Sequence, residues 1–337
     1  MTERFTSLNR MTPEQREQWE DDGYVIIKNA LSEKEVAELT REVNALDIES
    51  QRQGRDHNTL LDVANILDTA TEGLFVPNKD GNCRQLQKDP NFTFLKIVDH
   101  PSHLGIVCEL MGAAVQLTWS QALVRPPTPV PSHRWHPDGP KPYYFRKMCN
   151  ETTNDEAPPL LQLKIAFYLT DIDKPDMANL CVIPGSHRNG FPKIPQGLDH
   201  ALKISSLSKF QDVECIDEGI PGAIQIMAKA GDALAMHNGL FHCVVRNTSK
   251  MTRKNLHYTY GPQWQRPGDR MESSPELLSQ CTPVQKQLLG ALTKPYTNGG
   301  YGPFDEGAPL IRMFEGTSFS ETWDAVDLEY ISGTQEQ

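Results

Sequence analysis

The chain's 337 residues suffice for one large domain or two ordinary ones, either with a full hydrophobic core. At 38% hydrophobic and 23% charged residues, with no apolar run near membrane-spanning length, it reads as a globular protein without membrane attachment. The formal net charge of -11, with no Lys/Arg block interleaved with aromatics, argues against nucleic acid as the main partner.

The polar start MTERFTSLNR lacks the apolar core of a secretion signal. The seven cysteines are scattered, without a C-x-x-C pair. Both features lead us to expect a cytoplasmic protein in a reducing compartment. In "MTPEQREQWEDDGYVIIKNALSEKEVAEL", Thr12, Pro13 and Gln15 form a helix start with a capping box, and Gly23 ends that helix. "YVIIKNA" then reads as a short strand. Ser32 and Glu35 make a second capping box, for a helix with Val36, Leu39, Val43 and Leu46 on one face. Residues 50 to 95 are polar and mixed and read as loops and short helices.

From about residue 115 the texture changes to short β-favouring runs broken by Pro, Gly, Asn and Asp. These are "VQLTWSQALV", "LLQLKIAFYLTDI", "NLCVIPGS", "ECIDEGIPG", "GDALAMHN", "FHCVVRN" and "KNLHYTYG". Without regularly intervening helices, they predict a mainly β fold with flanking helices, a sandwich or jelly roll rather than a βαβ sheet. "SPELLSQCTPVQKQLLGAL" turns helical again. With no repeat or linker visible, we expect one domain. It comprises a helical N-terminal region (12–110), a jelly-roll core (about 115–262) and a helical and loop extension (263–337).

Chemistry concentrates in "HRWHPDGPKPYYF". His136 and Asp138 lie two residues apart, so on a strand their side chains leave one face and can reach one ion. Two imidazoles and one carboxylate suit a ferrous site with open positions, so a third ligand is needed from a distant strand. His237 and His242 are the candidates. His242 begins the alternating strand "FHCVV", and Arg253 follows eleven residues later, placed to fork onto a dicarboxylate.

The blocks "PEQREQWEDDGYVIIKNALSEKEVAEL", "WHPD", "VIPGSH" and "AGDALAMHNGLFHCVVRNTS", followed by Arg253, resemble in that order the phytanoyl-CoA dioxygenase family of iron(II)- and 2-oxoglutarate-dependent oxygenases. The resemblance spans roughly residues 12 to 262. It implies a double-stranded β-helix (cupin-like jelly-roll) core, His136, Asp138 and His242 as iron ligands, and Arg253 as anchor of the distal carboxylate of 2-oxoglutarate. It further implies O2-dependent oxidation of an unactivated C–H bond, with release of succinate and CO2. Asp138 retains the carboxylate that iron halogenases of this broad type replace with a small residue, which disfavours halogenation. A non-redox cupin-type enzyme or binding protein would share the barrel and triad without a role for Arg253.

Several neighbouring residues carry further expectations. Gln121, on the strand before the triplet, and Lys164 or Gln162, alternating in "LQLKIAF", are candidates to hold the cosubstrate. His133 is a candidate substrate-facing residue, and Tyr143, Tyr144 and Phe145 are candidates to cover the substrate from a lid loop. His187, in "PGSH", shapes a turn, and Cys243 faces the core opposite His242. Similar proteins carry glycine in the turn before "PGSH". Here Ala178 and Asn179 stand there, and Asn179 is expected to tolerate left-handed geometry. The absence of a coenzyme A or carrier motif favours a free small molecule as substrate.

Overall fold

The computed structural model describes residues 8–68, 92–129, 133–138, 159–188, 222–270, 272–292, 294–295, 301–302 and 309–310. Helix α1 (Pro13–Asp22) starts as its sequence dictates. The Gln15 N–H donates to the Thr12 hydroxyl at 3.2 Å, and the Thr12 N–H donates to the Gln15 side chain at 3.0 Å. Gly23 closes it with φ +79°, its N–H donating to the Trp19 carbonyl. A Cβ at Gly23 would lie 2.4 Å from His187 Nδ1, so glycine also lets the helix end press onto the PGSH turn.

Strand β1 (Tyr24–Ile27) follows, then helix α2 (Glu33–Arg52), which opens on the Ser32/Glu35 capping box and buries Leu39, Val43 and Leu46. The 50–95 region departs from expectation at β2 (Leu61–Ala64), a strand at the edge of the main sheet. Four residues are too few for alternation to register in the sequence, and pairing with a long neighbour decides the conformation. A 3-10 helix (Thr93–Ile97) and helix α3 (Pro101–Met111) lead to β3 (Val115–Arg125).

The remaining strands are β4 (His133–His136), β5 (Leu163–Tyr168), β6 (Leu180–Val182), β7 (Ile224–Gln225), β8 (Ala233–His237), β9 (His242–Val244) and β10 (Arg253–Pro262). The expected strand around "ECIDEGIPG" lies outside the described residues, apart from its final glycine. Helices α4 (Pro275–Gln280) and α5 (Pro283–Leu288) divide the C-terminal helical stretch, Thr282 capping the second. β11 (Lys294–Pro295) and β12 (Tyr301–Gly302) form a small antiparallel pair.

Two antiparallel sheets face each other in a double-stranded β-helix, or jelly roll. One runs β1-β8-β5-β10-β3-β2 and the other β4-β9-β6-β7. Alternation sorts each strand of the main sheet. Leu163, Ile165 and Phe167 of β5 and Leu256, Tyr258 and Tyr260 of β10 enter the core beneath α2 and α3. Lys164, Ala166 and Tyr168, and Asn255, His257 and Thr259, turn instead to the space between the sheets.

β3 obeys the same rule only in halves, because its register with β10 shifts between Thr259 and Tyr260. Trp119 pairs with Thr259 and Leu117 with Tyr260, leaving Thr118 as an extra residue. Val115 and Leu117 therefore face the core, whereas Trp119, Gln121, Leu123 and Arg125 face the inter-sheet space.

Candidate metal centre and cosubstrate cavity

β4 and β9 pair so that His136 stands opposite His242. Their rings lie 4.3 Å apart, centroid to centroid, tilted by 49°. Asp138, just past the end of β4, brings one carboxylate oxygen 3.9 Å from His136 Nε2 and the other 3.8 Å from His242 Nε2. One ligand atom from each of the three residues falls within 4.8 Å of the others, making a compact set that fits a single ion.

His242 is oriented by its other nitrogen. Nδ1 lies 2.9 Å from the Leu240 carbonyl, which can only accept, so Nδ1 carries the hydrogen and Nε2 presents its lone pair to the site. Burial pushes the His242 pKa down to about 3 against the attraction of Asp138, which keeps the imidazole neutral and ligand-competent. Burial acts to raise the Asp138 pKa, but the Lys164 ammonium, then His242 and His136, outweigh it and hold the carboxyl well below the usual range. A neutral imidazole and an ionised carboxylate are the forms a divalent cation requires.

The triad borders a cavity of about 360 Å³ between the sheets. Arg253 projects into it from the start of β10, almost fully buried, donating from Nη1 to the Ala178 carbonyl. Burial pushes its pKa down to about 10, with Tyr168 opposing, so it remains a cation at neutral pH. The turn carrying that carbonyl corrects one expectation. Ala178, not Asn179, takes the left-handed conformation, with φ +58°. Asn179 holds the turn through its side chain, accepting from the Met177 N–H and donating to the Lys174 and Ile226 carbonyls. These three bonds leave Ala178 the residue that must adopt positive φ.

Lys164 and Gln121 both line the cavity and are engaged by carboxylates. Lys164 forms an ion pair with Asp138, and the Gln121 amide donates to Asp62 on β2. Gln162 is also in the wall. His133 starts β4, its backbone paired with Val244, whereas Tyr143, Tyr144 and Phe145 lie outside the described residues.

His237 stays apart from the triad. Its Nδ1 accepts from the Gly239 N–H, and its ring packs against Trp19 at 5.8 Å and His187 at 5.2 Å. Burial, then Arg188, pushes the His187 pKa down to about 4. Cys243 is buried with Trp135, Cys181, Ile183 and Val245 behind the smaller sheet.

Sequence reasoning missed Asp62, Arg125, Asn255 and His257, all of which line the cavity. Three of them were findable by parity: counting by twos from Gln121 reaches Arg125, and from Arg253 it reaches Asn255 and His257. Asp62 sits on the unread strand.

Residues 19–255 match the phytanoyl-CoA dioxygenase (PhyH) family. The chain belongs to that family. As a phytanoyl-CoA dioxygenase family member it is an iron(II)- and 2-oxoglutarate-dependent oxygenase. Among curated proteins none matches it. Among solved structures it is similar to HygX from Streptomyces hygroscopicus with nickel and 2-oxoglutarate bound, at 17% identity and a TM-score of 0.54, covering 80% of this chain and 94% of HygX. HygX with hygromycin B also bound gives a TM-score of 0.52 at 17% identity, with 79% and 94% covered. SnoK, a non-heme alpha ketoglutarate dependent carbocyclase from nogalamycin biosynthesis, gives 0.50 at 21% identity, covering 82% of this chain and 93% of SnoK. At these identities the likeness establishes the shared fold.

Proposed function

We propose that this family member oxidises an unactivated C–H bond of a free small molecule, with His136, Asp138 and His242 holding iron and Arg253 anchoring 2-oxoglutarate. The observation that carries this reading is the position of three converging donor groups beside a cavity into which a buried arginine projects. With 2-oxoglutarate and O2, bound iron supplies the oxidising power, with succinate and CO2 as by-products. HygX, which shares the fold, has been solved with hygromycin B bound, and a free small molecule is the substrate class adopted here.

The chain's own residues supply placement and exclusion. The Leu240 carbonyl fixes the His242 tautomer. Lys164 keeps the Asp138 carboxyl ionised before loading. Leu180, Leu234, Met236 and Val244 give the cavity an apolar lining that limits water around the reacting groups. Hydroxylation is the default outcome of such a site and is the one proposed.

Anaerobic addition of Fe(II) and then 2-oxoglutarate to the purified apoprotein tests the reading. A visible metal-to-ligand charge-transfer band is expected. Metal binding without any band on adding 2-oxoglutarate would refute the oxygenase assignment and favour a non-redox cupin-type enzyme.

A further inference from the structure

We infer that the β2–β3 flank of the cavity is the substrate subsite, where Trp119, Gln121 and Asp62 together take a neutral ring bearing hydroxyl groups. Resting on the function proposed above, this assignment gives the free small molecule a chemical class.

Register brings the three side chains to one place. Trp119 and Gln121 are cavity-facing neighbours on β3, and Asp62 reaches the same wall from β2, whose Ala64 pairs with Gln121. Trp119 stands opposite Thr259 of β10, and Thr259 stands opposite Lys164 of β5 on its other side. Trp119 and Lys164 are thus two strands apart, about 10 Å. Lys164 pairs with Asp138, so a molecule lying on Trp119 borders the triad. Arg253 is six positions back along β10 from Thr259, about 20 Å of strand, which keeps this flank apart from the carboxylate anchor.

The chemistry left open on this flank is that of an acceptor. The Gln121 amide turns Nε2 to Asp62 Oδ1, which leaves Gln121 Oε1 and Asp62 Oδ2 without a hydrogen bond among the described residues. Two acceptors at a cavity wall call for a ligand that donates. Arg125 and Lys164 both act on Asp62 as positive charges. An ammonium drawn to Asp62 would meet their repulsion and a hydroxyl would not, so the matching donor is a neutral one.

Trp119 supplies the apolar face. Its indole is half-buried, and Gly268 packs on it so closely that a Cβ there would lie 2.7 Å from Cζ3, which holds the ring in place. A fixed aromatic plane beside paired acceptors fits a ring with C–H faces and a hydroxyl rim. A flexible acyl chain would leave the acceptors unmatched.

The test is an anaerobic titration of the protein loaded with Fe(II) and 2-oxoglutarate, following the shift of the charge-transfer band as ring compounds are added. The panel holds cyclitols, methyl glycosides and cyclohexanediols as neutral hydroxylated rings, with cyclohexylamine and hexanoate as the amine and chain controls. At least one hydroxylated ring is expected to shift the band and to stimulate succinate release in air, with both controls inert. Asp62→Ala should weaken that ring about tenfold or more, and Trp119→Ala about fivefold. In both variants 2-oxoglutarate affinity should stay within about twofold of wild type.

No shift from any hydroxylated ring, or a response to either control that equals the best of them, would overturn the inference while the function proposed above stood. Variants that weaken 2-oxoglutarate as much as the ring would overturn it too, by giving this flank to the cosubstrate. If wild type itself gave no band with 2-oxoglutarate, that function would fail, and this inference with it. Circular-dichroism melting separates a lost contact from a lost fold, and Asp62→Asn and Trp119→Phe replace an alanine variant that does not fold.

Discussion

His242 meets two requirements that His237 does not: a carbonyl fixing its far nitrogen and a carboxylate at its near one. His237 spends Nδ1 on a backbone N–H and packs between rings of α1 and the PGSH turn. Replacing His242 with alanine should abolish iron-dependent succinate release while leaving the far-ultraviolet circular dichroism unchanged. Replacing His237 should keep measurable turnover and cost about 1–3 kcal/mol of stability, read by urea denaturation. Equal and complete loss of turnover in both variants would undo the choice of distal ligand. The grouping of His136, Asp138 and His242 was legible only through the family resemblance, since the H-x-D spacing is local but leaves His237 and His242 both open as the third member. Arg125 went unread because an arginine ahead of Pro126 and Pro127 reads as the polar end of a strand, although parity with Gln121 carries it to the cavity face.

Elements with local causes were read correctly, and those with tertiary causes were not. Both capping boxes near the N-terminus form with the residues that spell them, because each needs only contacts three residues apart. Gly23 extends that logic from helix end to helix docking, so Gly23→Ala meets both a left-handed backbone and the His187 ring. The expected penalty is roughly 2–3 kcal/mol, well above a single lost cap, measured by thermal or urea unfolding. β2 escaped notice because four residues carry too little pattern, and its place is set by pairing with β3. The change of parity in β3 escaped for a related reason: its sequence alternates smoothly, and the extra residue exists only relative to β10.

At the scale of the molecule, the first strand shares a sheet with one wall of the cavity, since β1 pairs with β8, and β8 with the β5 strand that carries Lys164. Asp232 fastens this junction, accepting from Lys28 Nζ at 2.9 Å and from the Asn29 and Lys229 N–H groups. Burial opposes ionisation there, but these donors hold its pKa below the usual value. A depressed carboxyl stabilises the fold above its unfolded-state pKa, and the contribution disappears as pH falls through the folded value. Asp232→Asn should therefore cost about 1–3 kcal/mol near neutral pH, and its gap from wild type should shrink below about pH 4. Denaturant titrations at both pH values decide it, and a constant gap would assign the effect to shape instead of charge. The unmatched Thr118 reaches further than its own strand, because N-terminal to it odd-numbered side chains serve durability and C-terminal to it they serve reactivity. Deleting that one residue would leave Leu117 opposite Tyr260 and Trp119 opposite Thr259 in an unbroken ladder, so the flanking side chains would keep their faces and only the local bulge would be lost. A saturation scan along β3 would show that switch as a hydrophobic preference that jumps from odd to even positions partway along.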